Sequence, residues 1–310
     1  MRAAVIAGPQ AAPVLQDFPA PQAQAGALLI DVDTAGLGGW DVLGAYRLGV
    51  QYPCVIRGEG VGRTADGQRV YFGERSVAPY GAWAERTLVP AEEVWAVPDG
   101  VDDLTAITMG IAGTGALLPL EQARIQPGET VLILGATGTL GQIALQLARI
   151  LGAGRVVGAA RNAAALQRLL DRGLADAVVV LGQGDDDAAA LKAAAGAGYD
   201  VVLDGVCGAP MLAALKATRW GARIFTIGTG AGRELKLNIA DLLFRTLSCV
   251  GTGQRPPAER EAVWRRLLAL AVEHRITVDH VAYTLDDAAQ AWQAQCSGPH
   301  AKVTAAVRRH

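Results

Sequence analysis

Seven consecutive residues, Gly135-Ala136-Thr137-Gly138-Thr139-Leu140-Gly141, carry the clearest chemical signal in the chain. Their spacing is G-x-x-G-x-x-G. They follow the apolar run Val131-Leu132-Ile133-Leu134 and precede a helix-forming stretch, Gln142 to Leu151, with a second strand starting at Arg155. A glycine triplet means little alone, but between a strand and a helix it acquires a function. Gly135 permits the tight turn, Gly138 lets the backbone approach a pyrophosphate, and Gly141 lets the helix pack close on the strand. The helix N-terminus adds N–H donors and positive partial charge, so the bend suits a dinucleotide. The competing reading is a glycine-rich turn without a ligand, and the flanking elements weigh against it.

The end of the second strand decides which dinucleotide fits. Enzymes that use NAD place an Asp or Glu about 20 residues past the glycines, where it bonds the ribose hydroxyls. Here the stretch reads Gly158-Ala159-Ala160-Arg161-Asn162. No carboxylate is present to repel a 2′-phosphate, and the Arg161 guanidinium can donate two hydrogen bonds to one, so Ala160 and Arg161 favour NADPH over NADH. The plainer alternative is a solvated surface arginine.

Around this motif the chain alternates strand and helix, which predicts a parallel sheet covered on both faces. Strands are expected at Thr130–Leu134, Arg155–Ala160, Ala177–Val180, Val201–Leu203, Arg223–Ile227 and Leu247–Val250. Upstream the pattern is short strands between turn residues: Ala3–Ile6, Leu28–Thr34, Gln68–Tyr71, Gly81–Leu88 and Val94–Val97. Two glycine-rich segments, Gly36 to Gly39 and Gly58 to Gly62, read as turns among them. Asp102 to Leu120 has a helical pattern. A long helix from Ala258 to about His274, a segment Ile276–Val281 and a strand-like Lys302–Val307 follow. The fold class is therefore α/β: a Rossmann doubly wound parallel-sheet domain plus a mostly β domain. The expected boundaries are residues 1–115 and 251–310 for the discontinuous β domain and 116–250 for the Rossmann domain.

Bulk properties narrow the function further. At 310 residues the chain exceeds what one typical core supports. Its 51% hydrophobic and 19% charged residues describe a globular α/β protein rather than a disordered one. A formal net charge of -2 gives no basic field for nucleic acid, which leaves a small-molecule partner. Two charge-free stretches, Leu104–Leu120 and Thr130–Ala148, contain too many Gly, Thr and Gln residues to read as membrane spans. The N-terminus meets Pro9 and Pro13 before any signal-peptide core forms, so the cytoplasm is the expected location. Cys54, Cys207, Cys249 and Cys296 are widely separated, which predicts reduced and mostly buried thiols rather than a zinc or dithiol site.

With these residues in place, the chain resembles the medium-chain dehydrogenase/reductase superfamily, specifically its zinc-independent, quinone oxidoreductase-like branch. The resemblance spans nearly the whole sequence. It rests on Asp41 followed by Gly44-Ala45-Tyr46-Arg47-Leu48-Gly49, the turn around Gly60 and Gly62, Gly113-Thr114, the Gly135–Gly141 motif and Ala301-Lys302-Val303. It implies that the β domain is GroES-like. Zinc-dependent members hold their metal with a Cys, a His in a Gly-His-Glu triplet and a later Cys or Asp. In this chain those places read Gly38-Gly39-Trp40-Asp41, Arg57-Gly58-Glu59 and Ile111 or Ala112, and the four-cysteine structural lobe is missing. His274, His280, His300 and His310 fall in the C-terminal stretch, where surface or packing roles are the better reading. Relatives also tend to have Asn at Gly38, Gly at Arg57, a longer loop at Arg63–Gln68 and an aromatic after Gly115. These departures weaken any transfer of substrate.

The resemblance implies hydride transfer from NADPH to a quinone or an α,β-unsaturated carbonyl. With no metal to polarise a carbonyl, electron-poor acceptors are the natural substrates. It places the nicotinamide against Thr114, Val206, Gly228, Thr229, Thr252 and Gly253. Tyr46 is the candidate catalytic residue, a phenol to hydrogen-bond the substrate oxygen, and an aromatic wall with no proton role is the alternative. Trp40 reads as pocket lining or packing, and Asp41 and Glu59 as structural acids. A metal-independent ketone or alcohol oxidoreductase, or a catalytically idle NADPH-binding protein, are the competing functions. Apolar residues around Leu242-Leu243-Phe244 and Leu247–Val250 belong either to the core or to the edge through which relatives form a homodimer.

Overall fold

The structure, a computed structural model, describes residues 1–9, 11–43, 50–182 and 186–308. It divides into two units: one comprises Met1–Ala112, Pro256–Glu273 and Val278–His310, the other Gly113–Arg255 and His274–Thr277.

The first unit is mostly β. It contains β1 (Arg2–Ile6), β2 (Val14–Asp17), β3 (Ala27–Leu37), α1 (Gly39–Leu43), β4 (Cys54–Val55), β5 (Glu59–Arg63), β6 (Arg69–Phe72), β7 (Arg86–Pro90), β8 (Val94–Ala96) and α2 (Asp103–Thr108). The long β3 organises them, pairing antiparallel with β7 through Ala27–Asp31 and with β5 through Asp31–Gly36. Strands β1, β2 and β4 form a small separate sheet in the order β2-β1-β4.

The second unit continues from α3 (Ile111–Ala123) with β9 (Thr130–Leu134), α4 (Thr139–Ile150), β10 (Arg155–Ala160), α5 (Ala163–Asp171), β11 (Ala177–Val180), α6 (Asp187–Ala195), β12 (Tyr199–Asp204), α7 (Gly208–Lys216), β13 (Thr218–Thr226) and β14 (Thr246–Cys249). Every strand pair in its sheet is parallel, in the order β11-β10-β9-β12-β13-β14. This is the Rossmann arrangement, whose strand order reverses beside the first strand, so that ligands gather outside the carboxyl ends there. Leu132, Leu134, Val157, Val202 and Ile224 form the buried layer under the helices.

The chain then returns to the first unit through α8 (Pro257–His274), β15 (His280–Thr284), α9 (Ala288–Ser297) and β16 (Lys302–Ala306). Strand β16 lies antiparallel to β3, and β15 runs parallel to β16, completing the sheet order β15-β16-β3-β5-β6-β8. Helix α8 is anchored by Trp264, which is fully buried, stacks on Tyr71 at 4.9 Å and donates its indole N–H to Ala106 O at 3.0 Å. Among the described residues no helix is long and apolar enough to cross a membrane.

Three local expectations need correction. The helical pattern of Asp102–Leu120 is two helices, parted at Met109 and Gly110, where a Cβ on Gly110 would stand 2.1 Å from the Tyr71 hydroxyl and 2.2 Å from Glu59 Oε2. Gly58–Gly62 is mainly strand: Gly60 admits the Phe72 ring and Gly62 the Asp31 carbonyl, so these glycines serve close approach within a sheet. Ladder pairing starts only at Arg86 rather than Gly81, since Gly81 packs its bare Cα against Ile56 O in a loop. In addition, Cys54 and Cys207 are buried but Cys249 and Cys296 are exposed, so the thiols are not mostly buried.

Candidate functional site

The glycine bend occupies the carboxyl end of β9, beside the point where the strand order reverses. Gly135 has φ +77°, which a side chain would strain, and its amide and that of Ala136 both donate to Ala159 O, at 2.9 and 3.1 Å. A Cβ on Gly141 would lie 2.3 Å from Gly135 O and 2.6 Å from Ala136 Cα, so only glycine lets α4 sit this close to the strand. Gly138, the N-cap, differs from the other two: a Cβ there would meet nothing nearer than Gly135 O at 3.6 Å. That is an ordinary contact distance, and no side chain caps the helix.

The amides of Thr139, Leu140 and Gly141 form the first turn of α4, where no carbonyl precedes them within the helix. They supply an uncapped positive pole for an anion. Gln142 steadies the bend from behind: it is buried, its Nε2 donates to Thr137 O at 2.9 Å, and its amide donates to Gly138 O at 2.9 Å. Nothing in the sequence marks it out, since it reads there as one more polar residue in an apolar helix.

Ala160 ends β10, and Arg161 follows it, exposed and without an ion pair among the described residues. Asn162 caps α5, accepting the Ala165 amide at 2.9 Å, which fixes the backbone on which Arg161 stands.

The remaining expected contacts spread along the same row of carboxyl ends. Val206 follows β12, and its Cγ1 would touch a Cβ on Gly135 at 2.9 Å. Gly228 follows β13 so closely packed on Gly205 that a Cβ would stand 2.0 Å from Gly205 O. Thr229 is exposed beyond it. Thr114 is buried in α3, and its neighbour Gly115 would bring a Cβ 2.9 Å from Leu140 and 3.4 Å from Ile227. The first turns of α3 and α4 and the end of β13 are thereby brought together. Thr252 and Gly253 follow the edge strand β14 at the end of the row.

Tyr46 lies outside the described residues, as do Gly44, Ala45, Arg47, Leu48 and Gly49. Trp40 is about half exposed on α1. Asp41 and Glu59 are buried in the first unit with their oxygens occupied. Asp41 accepts the Gly38 amide at 2.8 Å and the Gly58 amide at 3.2 Å, and burial outweighs these donors to push its carboxyl up to about 7. Glu59 accepts from Lys302 Nζ at 2.6 Å, Tyr71 OH at 2.7 Å and the Ile111 amide at 3.0 Å. Burial and the Glu59 carboxylate together hold the Tyr71 phenol well above its ordinary range. The roles of Lys302 and Tyr71 are not legible from spacing.

Among the described residues no three of His, Cys, Asp or Glu stand close enough together to hold a metal, and the two acids nearest the family's metal positions are committed to backbone amides, Tyr71 and Lys302.

Comparison with known proteins agrees with this anatomy. A family model described as zinc-binding dehydrogenase matches residues 139–272. The rat quinone oxidoreductase-like protein 2 (Rattus norvegicus) is 30% identical over 190 residues, covering 60% of this chain and 54% of the relative. The chain thus spans about half the length of the curated relatives first matched. A phenolphthiocerol/phthiocerol polyketide synthase of Mycobacterium tuberculosis is 30% identical over 302 residues, 91% of this chain and 14% of that protein. Among solved structures, a mycobacterial protein complexed with NADPH superimposes with a TM-score of 0.85 at 24% identity, over 99% of this chain and 100% of the other, a likeness of fold.

A Rossmann sheet with a glycine bend at its reversal point and a discontinuous β unit is an anatomy in which the chain is similar to the zinc-binding dehydrogenases, whose family model matches residues 139–272. Among curated proteins it is similar to the quinone oxidoreductase-like proteins.

Proposed function

We propose that this protein is an NADPH-dependent oxidoreductase that transfers a hydride to a quinone or an α,β-unsaturated carbonyl without a zinc ion. The carrying observation is the Gly135–Gly141 bend with its uncapped helix pole, next to a strand end that offers Arg161 and no carboxylate. The relatives named as quinone oxidoreductase-like proteins support a quinone acceptor.

The amides of Thr139, Leu140 and Gly141 would hold the pyrophosphate, while Arg161 would hold the 2′-phosphate through charge-assisted hydrogen bonds. Val206, Gly228 and Thr229 would present backbone to the nicotinamide end, where glycine allows close approach. Bound there, the reduced nicotinamide supplies the hydride. The chain must then stabilise an oxyanion by hydrogen bonds, a task we assign to Tyr46, with Thr114, Thr252 and Gly253 completing the coenzyme contacts. Electron-poor acceptors follow, because their reduced forms carry a delocalised negative charge.

The test is a panel of quinones, enones and simple ketones assayed with NADPH and NADH in parallel, for the wild type and Arg161→Ala. Quinone or enone reduction with NADPH is expected, and loss of the guanidinium should cut the preference for NADPH by about tenfold or more, the worth of a hydrogen bond to a charged group. Turnover confined to simple ketones, or tight NADPH binding with no turnover on any acceptor, would replace this reading.

We also infer a homodimer through β14. Its only strand partner among the described residues is β13, and Trp220 and Phe244 stack at 5.0 Å on the surface beside exposed Leu243. Light scattering of the wild type and Phe244→Asp tests this, and a monomeric wild type would remove it.

A further inference from the structure

Asp204 is the last residue of β12, fully buried, and it occupies no expected contact with coenzyme or substrate. Its Oδ1 accepts two successive backbone amides, from Val206 at 2.9 Å and Cys207 at 2.8 Å. Its Oδ2 accepts the Thr226 hydroxyl at 3.1 Å, from the end of the neighbouring strand β13. One side chain therefore ties the loop after β12 to its own strand and to the next.

That loop needs tying. Cys207 has φ 59° and ψ -163°, a region that residues with a Cβ seldom occupy. The Val206 carbonyl, one residue earlier, accepts the Ala231 amide at 2.7 Å, which secures the segment following Gly228 and Thr229. The Val206 side chain leans on the bare Cα of Gly135. The segments after β12 and β13 are thus tied to each other through one carboxylate.

We propose that Asp204 is the positioning residue of the coenzyme site: by holding the Val206 and Cys207 amides it sets the turn that packs on Gly135 and anchors the Gly228–Ala231 loop. This rests on the NADPH reading above. The role is geometric rather than electrostatic. An asparagine can reproduce it, with its carbonyl oxygen accepting both amides and its NH2 donating to Thr226, whereas an alanine cannot.

Wild type, Asp204→Asn, Asp204→Ala and Thr226→Val are compared by NADPH fluorescence titration, by kcat and KM with a quinone acceptor, and by hydrogen exchange of the Val206–Cys207 segment without coenzyme. Asp204→Asn should bind NADPH within about threefold of wild type, and Asp204→Ala about tenfold more weakly, with the loss in the KM for NADPH rather than in kcat and with faster exchange at Val206 and Cys207. Thr226→Val, which leaves both amide bonds in place, should shift binding less than Asp204→Ala and keep the segment protected, and it guards against an alanine variant that fails to fold. Wild-type exchange and binding in Asp204→Ala, or Asp204→Asn as impaired as Asp204→Ala, overturns the proposal. Should the wild type ignore NADPH altogether, the functional reading falls, while the exchange comparison still decides whether Asp204 sets the turn.

Discussion

Lys302 brings its ammonium to 2.6 Å from Glu59 Oε1 across 243 residues of sequence, and both side chains are buried. The same Lys302 donates to Leu37 O at 3.1 Å, while Glu59 Oε2 takes the Tyr71 hydroxyl and the Ile111 amide. The returning strand β16 is thus locked to the first unit by a pair whose remaining hydrogen-bond capacity is well used. Burying two charges is costly, and the pair is worth keeping only while both partners are present.

Lys302→Met should destabilise the protein by about 3–5 kcal/mol, since it strands the Glu59 carboxylate without its cation. Adding Glu59→Gln to it should restore part of the loss. Denaturant unfolding of the two variants checks this, and a single variant as stable as wild type would show that the pair contributes little.

Gly141→Ala is the sharpest change available in the bend. Its methyl group would need the space of Gly135 O, 2.3 Å away, so helix and strand must separate. NADPH affinity is expected to fall with thermal stability. Gly138→Ala meets only an ordinary contact and should leave stability nearly untouched while weakening NADPH, because it blocks the approach of phosphate. Titration and melting curves on both variants separate the packing glycine from the binding one.

Asp41 gives the stability a pH dependence of definite sign. Its carboxyl ordinarily loses its proton near 3.8 but holds it to about 7 when folded, because burial disfavours the charge. Between those values the native state binds more proton than the unfolded chain, so this group's contribution declines as pH rises through the window. Asp41→Asn does not titrate. Its stability relative to wild type should improve between about pH 4 and pH 7, with a slope of at most about 1.4 kcal/mol per pH unit. A difference that stays level across that range contradicts the assignment.

Tyr46→Phe tests the proton role we assign to its hydroxyl. If the phenol stabilises the developing oxyanion, kcat should fall by about a factor of 100 or more across acceptors, the scale of one such donor, with the KM for NADPH unchanged. Unchanged turnover with several acceptors would leave Tyr46 as a wall of the pocket.

Sequence alone determined what depends on near neighbours along the chain. The six parallel strands could be read because each is an apolar run separated from the next by a helix-length segment, and the Gly135–Gly141 motif because strand, bend and helix are contiguous. Arg161 is legible in the same way, one residue past a strand. Tertiary structure alone decided what depends on contacts between distant segments. The glycines of Glu59–Arg63 look like turn formers until the Phe72 ring and the Asp31 carbonyl are seen against them, and the need for glycine at position 110 shows only once Tyr71 and Glu59 are packed on it. Asp204 reads as an ordinary strand-end acid until folding buries it beneath two amides and a hydroxyl from the next strand. Periodicity records which face of an element is apolar, but a buried polar group is justified by its partner, and that partner is chosen by topology.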